Sequence, residues 1–281
     1  MKRSKPKILV AVMSYERPDA LEVCLTSLVE VGGEFSVVIV DDRSSNKSIP
    51  DLADRFGFEF FVGPGGTGRH GGLYNNMELA KKIAERRGFD YIAFFQDDMQ
   101  LVRPFDETVI LEYEKVFAND RNVVCIDHRF SRAGFNAIFD HELNAYRYPN
   151  KYTYSDVGVF SLKRLSERNF SFNQFSHSFI ATEKLIKKSA KEINMVKVSA
   201  RTPICMHIPF PRLIRNKITL PRLSRILKET RQYKTMTPNA IRKMDDRDPS
   251  EAPNFRKFLE FSNLSAFDRW LINRSSDSKI F

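Results

Sequence analysis

The sequence has one tryptophan and three cysteines in 281 residues, and no apolar run approaching a membrane span. A spanning helix needs about 20 consecutive apolar residues, so none is expected. Cys24, Cys125 and Cys205 are odd in number, far apart and without a CxxC pair. That excludes a disulfide framework, and their apolar neighbours predict buried thiols. No GK[ST] follows the glycine run, which excludes a Walker loop. There is no internal repeat and no low-complexity tract. The charged start, Met1-Lys2-Arg3-Ser4-Lys5-Pro6-Lys7, imitates a signal peptide, but the apolar run behind it has six residues. A signal peptide requires roughly 7–15 and then a small-residue cleavage site. The expected location is therefore cytoplasmic.

Acidic residues are scarce in one place. The net charge of +10 comes from 45 Lys+Arg against 35 Asp+Glu. Residues 201–243 hold 11 basic side chains and a single acid, Glu229, whereas residues 1–200 hold 28 and 27. Such a block attracts phosphates, anionic lipid or nucleic acid. Leu220, Leu223, Ile226 and Leu227 form one helical stripe among Arg222, Arg225 and Lys228. That pattern suits a helix lying on an anionic membrane surface, here the inner face. A lid over a diphosphate, a duplex contact and a solvated face stay open as readings.

What is present is an ordinary globular balance, 42% hydrophobic and 28% charged, with 24 Phe to build the core. The length suits one large domain or two small ones. Short apolar runs at 8–13, 37–40, 58–62 and 91–95 predict buried strands. Apolar stripes at 18–31 and 73–87 predict helices, the first with Pro18 near its first turn. The alternation predicts an α/β fold, a mainly parallel sheet flanked by helices. Further on, strands are expected at 123–126, 157–162 and 195–199, a hairpin at 135–148 and a helix at 182–193. Helical patterns recur near 223–233, 255–261 and 266–273.

Ligands of such sheets sit at the carboxyl ends of the strands, and the polar residues gather there. They are Ser14, Tyr15, Glu16 and Arg17, then Asp41-Asp42, a glycine loop, and Gln96-Asp97-Asp98. Six of the 12 glycines lie between positions 63 and 72. Gly66-Thr67-Gly68-Arg69-His70-Gly71 fits GxGxxG between a strand and a helix, the context of a dinucleotide-dependent oxidoreductase. Against that reading, the loop follows the third strand, and Asp90, about 20 positions on, begins a strand where the ribose-binding acid ends one. The loop can also be a plain connection, or lie near a phosphate or sugar with Arg69 supplying charge. Adjacent acids on an extended chain point to opposite sides, so each pair can divide its tasks. Two acids at the mouth of a buried strand suit a hard cation such as Mg²⁺ or Mn²⁺, and equally a solvated cap.

Val12-Met13-Ser14-Tyr15-Glu16-Arg17-Pro18, Val38-Ile39-Val40-Asp41-Asp42 and Phe94-Phe95-Gln96-Asp97-Asp98, in this order and spacing, resemble the family 2 glycosyltransferases of GT-A fold. The resemblance is clear over residues 7–105, weaker over 106–208 and absent afterwards. It implies a metal-dependent, inverting enzyme that moves a sugar from a nucleotide-sugar donor to a hydroxyl of a cell-surface or lipid-linked glycan. A nucleic-acid acceptor is the alternative. By resemblance, Tyr15 packs on the base, Asp41 and Asp42 contact base and ribose, and Asp97-Asp98 stands for the DxD-type motif, with Asp98 on the metal. Gln96 occupies the place of the first acid, a departure that lowers the local negative charge. His207 matches a position of a further metal ligand or phosphate contact. Glu183, at the start of a helix, matches the general base, and Asp156 is the second candidate for that role or for holding the acceptor. The resemblance also implies a nucleotide-sugar-binding half at 1–105, an acceptor-binding half at 106–210 and a basic helical extension at 211–281.

Overall fold

The computed structural model describes residues 5–33, 35–67, 71–132, 135–150, 156–175, 182–209 and 232–262. Strand β1 (Ile8–Ser14) is buried along its whole length. Its side chains alternate between two layers, which explains the unbroken apolar run. Helix α1 (Pro18–Val31) starts on its proline and leads to β2 (Ser36–Asp41). Next come α2 (Ser48–Phe56), β3 (Glu59–Val62), α3 (Leu73–Arg86), β4 (Tyr91–Gln96) and β5 (Met99–Leu101). Then follow α4 (Glu107–Asn119), β6 (Val123–Asp127), the hairpin β7 (Ile138–Asp140) and β8 (Ala145–Arg147), and β9 (Gly158–Ser161). The chain continues through α5 (Leu162–Glu167), a 3₁₀ turn (Phe172–Phe175), α6 (Thr182–Glu192), β10 (Val196–Ala200) and β11 (Cys205–His207). Beyond these lie α7 (Pro238–Asp245) and α8 (Phe255–Phe258).

Nine strands form one sheet in the order β3-β2-β1-β4-β9-β6-β10-β8-β7. The β3-β2-β1-β4 part is parallel, as is the β6–β10 pair, while β9 inserts antiparallel between β4 and β6. The sheet is thus mixed, continuous across both halves of the chain, and of the α/β class the alternation predicts. Ile8, Val10 and Val12 pack with α1, α2 and α4 on one face. Leu9, Ala11 and Met13 pack with α3 and a phenylalanine group, Phe94, Phe160, Phe170 and Phe172, on the other. The ring of Phe94 meets those of Phe160 and Phe172 edge-on at 5.5 and 5.4 Å, the arrangement that aromatic quadrupoles favour. The three cysteines are free and buried, as expected.

Outside the main sheet, β5 and β11 form a two-stranded antiparallel ribbon that sets His207 opposite Met99. Residues 232–262 pack on this ribbon through Tyr233, Met236, Met244, Phe255 and Leu259, which meet Val102, Phe130 and Met206. Most of the basic stripe expected at 220–233, and the helix expected at 266–273, lie outside the described residues. Among the described residues no helix is long and apolar enough to cross a membrane.

Candidate functional site

In the strand order 3-2-1-4 the chain leaves β1 in one direction and returns on its other side as β4. A crevice opens at that reversal, outside the carboxyl ends of the strands. Here it is a cavity of about 720 Å³, lined among others by Ser14, Tyr15, Arg17, Asp42, Gln96 and Asp156. A cavity of about 660 Å³ around Asp90, Tyr91 and Lys163 lies at the opposite end of β4, away from these groups.

The end of β1 is held to its neighbours by backbone bonds. The Tyr15 amide donates to Asp97 Oδ2 at 3.1 Å, and the Glu16 amide donates to Ser44 Oγ at 2.8 Å. Glu16 has φ 55°, and its carboxylate accepts from the Ser45 amide at 2.5 Å. A non-glycine residue in this region is strained unless its surroundings hold it, and these bonds do. Tyr15 is left 54% exposed on the rim, an open ring face. Ser14 Oγ is buried in the cleft without a hydrogen-bond partner.

The acid pair at the end of β2 divides as alternation requires. Asp41 is buried, and its oxygens accept from the Ser44 amide and hydroxyl, both at 2.7 Å. It closes the turn. Asp42 lines the cleft and accepts from the Gly72 amide at 2.8 Å, while its other oxygen has no partner. Burial pushes the Asp42 carboxyl above its ordinary value, against the pull of that hydrogen bond. The glycine loop belongs to this contact. A Cβ on Gly72 would fall 1.9 Å from Asp42 Oδ1 and 2.7 Å from Gly65 Cα. The glycines permit close approach of loop and carboxylate in the wall of the cleft, on a loop that follows β3 and not β1, where a dinucleotide loop would sit. Gly72→Ala is expected to cost about 1–3 kcal/mol through overpacking, read as a lower melting temperature together with weaker nucleotide binding. Arg69 lies outside the described residues.

At the end of β4, Asp97 and Asp98 are wholly buried. The Arg17 guanidinium bridges them, pairing with Asp97 Oδ1 and donating to Asp98 Oδ2 at 3.0 Å. Asp98 Oδ1 meets His207 Nδ1 at 3.1 Å, and His207 Nε2 meets Arg129 Nη1 at 3.2 Å. A guanidinium can only donate, so Nε2 accepts and Nδ1 carries the proton towards Asp98. Burial pushes His207 below its ordinary value despite the Asp98 charge, in keeping with a neutral ring. Asp98 and His207 could hold a divalent ion after a tautomer switch that moves the proton to Nε2 and releases Arg129, because a protonated Nδ1 has no lone pair for a metal. Two ligands at right angles around an ion at about 2.1 Å lie about 3 Å apart, close to the separation here. Among the described residues no group of three His, Cys, Asp or Glu converges. The donor set then fits an ion completed by phosphate oxygens and water.

Asp156 stands just before β9, whose register sets Gly158 opposite Phe94. That brings the Asp156 carboxylate to the Gln96 amide, which donates to it at 2.5 Å. Gln96, where a further acid would repel Asp156, instead binds it. Glu183 is the second residue of α6, and its side chain lies outside the described residues.

A group not singled out from sequence is Asp127, Arg129 and Lys197. Asp127 ends β6 and accepts from Arg129 Nε at 2.8 Å, from Arg129 Nη2 at 2.7 Å and from Lys197 Nζ at 2.8 Å. The signal was present in Asp127-His128-Arg129, polar residues at a strand end. His128 is structural. It packs on Phe95 at 4.7 Å, and burial pushes its pKa down to about 3.

The comparisons with known proteins agree with this geometry. The model of glycosyl transferase family 2 matches residues 9–192. No curated protein matches the chain. Among solved structures the chain is similar to TarS from S. aureus, at 17% identity and a TM-score of 0.50, over 74% of this chain and 39% of that one. It thus spans well under half the length of TarS. TarS residues 1–349 in complex with UDP align at 17% identity and TM-score 0.47, over 69% of this chain and 57% of that one. A putative nucleotide-diphospho-sugar transferase from Desulfovibrio desulfuricans G20 aligns at 8% and 0.41, over 69% and 79%. The fold is GT-A, and with the family model covering most of its length the chain belongs to glycosyl transferase family 2.

Proposed function

We propose that the chain transfers a sugar from a nucleotide-sugar donor to an acceptor hydroxyl, with inversion at the anomeric carbon and a divalent cation as cofactor. The observation that carries this reading is the cleft at the β1–β4 reversal, lined by Tyr15, Asp42 and Arg17, with the buried Asp98–His207 pair directly behind Arg17. Tyr15 offers its open face to the base, and the Asp42 carboxylate in the cleft wall accepts from base or ribose. Asp98 and His207 would hold Mn²⁺ or Mg²⁺, which when bound supplies Lewis-acid neutralisation of the departing diphosphate. Arg17, fixed by both aspartates, adds a positive charge on the same side.

The acceptor hydroxyl is a weak nucleophile and needs a base. Glu183 at the start of α6 takes that role, and Asp156, fixed by Gln96, orients the acceptor. A glycan or lipid-linked hydroxyl suits this cleft, and residues 201–243 bring it from an anionic membrane face.

A panel of nucleotide sugars, with the anomer of the product determined, tests the reading. One donor is expected to react, with an inverted product and a requirement for Mn²⁺ or Mg²⁺. Transfer from none, with stabilisation by NAD(H) instead of nucleoside diphosphates, would reverse it. Glu183→Gln is expected to lower kcat about 100-fold with donor affinity unchanged. A larger kcat loss in Asp156→Asn, with Glu183→Gln near wild type, would move the base to Asp156.

A further inference from the structure

Beside the donor cleft is a second, smaller pocket of about 200 Å³, between the ends of β6 and β10. It is lined by Asp127, Arg129, Ser131, Arg132, Tyr148 and Ser199, and shares no lining residue with the donor cleft. One acid, Asp127, faces two cations there, Arg129 and Arg132, and a third, Lys197, pairs with it from outside the lining. Arg129 and Lys197 are paired to Asp127, and Lys197 also lies 5.2 Å over the Tyr148 ring. Among the described residues the Arg132 guanidinium has no ion-pair or hydrogen-bond partner. Burial and repulsion from Arg129 push its pKa down to about 10. Ser131 Oγ is likewise buried without a partner. Buried polar groups are normally satisfied, and Ser131 lies beside the half-buried Arg132 in a positive cavity with room for several waters of about 30 Å³.

Position adds to this. Arg129 is shared between the pocket and the Asp98–His207 pair through its 3.2 Å contact with His207. A contact chain thus runs from Arg17 through Asp98, His207 and Arg129 to Asp127 and Lys197, joining the two cavities. The pocket is braced from behind. Residues 253–255 pair with Ser131, whose amide donates to the Pro253 carbonyl at 2.9 Å and whose carbonyl accepts from the Phe255 amide at 3.1 Å.

We propose that this pocket is a phosphate subsite, and that the acceptor carries a phosphate group which Arg132, Arg129 and Ser131 hold while its hydroxyl reaches the donor cleft. The inference rests on the glycosyltransferase reading for the word acceptor, and on the pocket alone for the phosphate. Arg132 is the positioning cation, and Asp127 keeps Arg129 and Lys197 in place.

The test is calorimetric titration of glycerol 3-phosphate into the full chain, with a nucleoside diphosphate and Mn²⁺ already saturating the donor cleft. Millimolar or tighter binding is expected, with none for glycerol. Arg132→Gln is expected to weaken it at least tenfold and Arg132→Lys by less, as loss of a charge-assisted bond requires. Nucleoside diphosphate affinity is expected to stay unchanged in both. Wild-type phosphate binding by a folded Arg132→Gln variant would overturn the proposal. So would competition by nucleoside diphosphate, which would assign the pocket to the donor. Binding of inorganic phosphate but not of the ester would overturn the acceptor assignment. Failure of wild type to bind any nucleoside diphosphate would instead sink the glycosyltransferase reading, and the phosphate titration would still decide the pocket.

Discussion

Asp98→Asn is expected to lose transfer activity by on the order of 10³-fold, the scale on which charge stabilisation of a leaving group acts. Asp98 is wholly buried, with Arg17 on one oxygen and His207 on the other. The substitution keeps the shape of the side chain and removes its charge. An amide nitrogen turned towards Arg17 would oppose a donor with a donor. Turned towards His207, it would meet the protonated Nδ1. Arg17 stays anchored by Asp97, so the fold is expected to survive with a somewhat lower melting temperature, and a cooperative unfolding transition verifies that. Two measurements then bear on the assignment. Product formation should fall, and the Mn²⁺-dependent part of nucleoside diphosphate binding should weaken. A variant with wild-type turnover would remove Asp98 from the leaving-group side of the reaction.

The second large effect is on stability. Asp127→Ala is expected to destabilise the protein by about 3–5 kcal/mol, the cost of leaving buried charges uncompensated. Arg129 and Lys197 both pair with Asp127, and Lys197 is almost fully enclosed. For a chain of this size the melting temperature should drop by on the order of 10 °C. A pH signature accompanies it. Burial alone would push the Asp127 carboxyl up, but Arg129 and Lys197 outweigh it and hold the group well below the ordinary carboxylate range. A carboxylate with a depressed folded-state pKa stabilises above its unfolded value of about 3.9 and loses that contribution as pH falls towards the folded value. The gap in stability between wild type and Asp127→Ala should therefore be full at pH 7 and shrink below about pH 4. Chemical unfolding of both proteins across that range measures it. A gap independent of pH would mean that Asp127 acts by packing alone.

Much of the first hundred residues was legible as sequence. Four strands and two helices of residues 8–95 stand where hydrophobic periodicity puts them, within a residue or two at the ends. The missed elements have identifiable reasons. Helix α2 is nine residues long, with Pro50 in its first turn and only Ile49, Leu52 and Ala53 buried, too short a stripe to stand out. Helix α4 carried a readable pattern, Val109, Ile110, Tyr113, Val116 and Phe117, behind an Asp106 cap that accepts from the Val109 amide. The site residues divide in the same way. Asp42, Asp97 and Asp98 were placed by local rules of strand ends. That Asp41 serves the Ser44 turn follows from the conformation of residues 41–44, which alternation alone does not specify.

Local sequence determines the elements of this protein because burial on two faces leaves an unbroken apolar run, and because a strand must end where its polar residues begin. It also determines that acids, a tyrosine and a glycine loop gather at those ends. Contacts between distant segments were decided only by tertiary structure. The β5–β11 ribbon carries His207 to Asp98, β9 inserts antiparallel beside β4 and delivers Asp156 to Gln96, and the parallel β6–β10 pair brings Lys197 to Asp127. Each joins residues at least 60 positions apart. No periodicity records such a pairing, since it depends on which sheet edges and apolar faces remain to be covered once the local elements have formed.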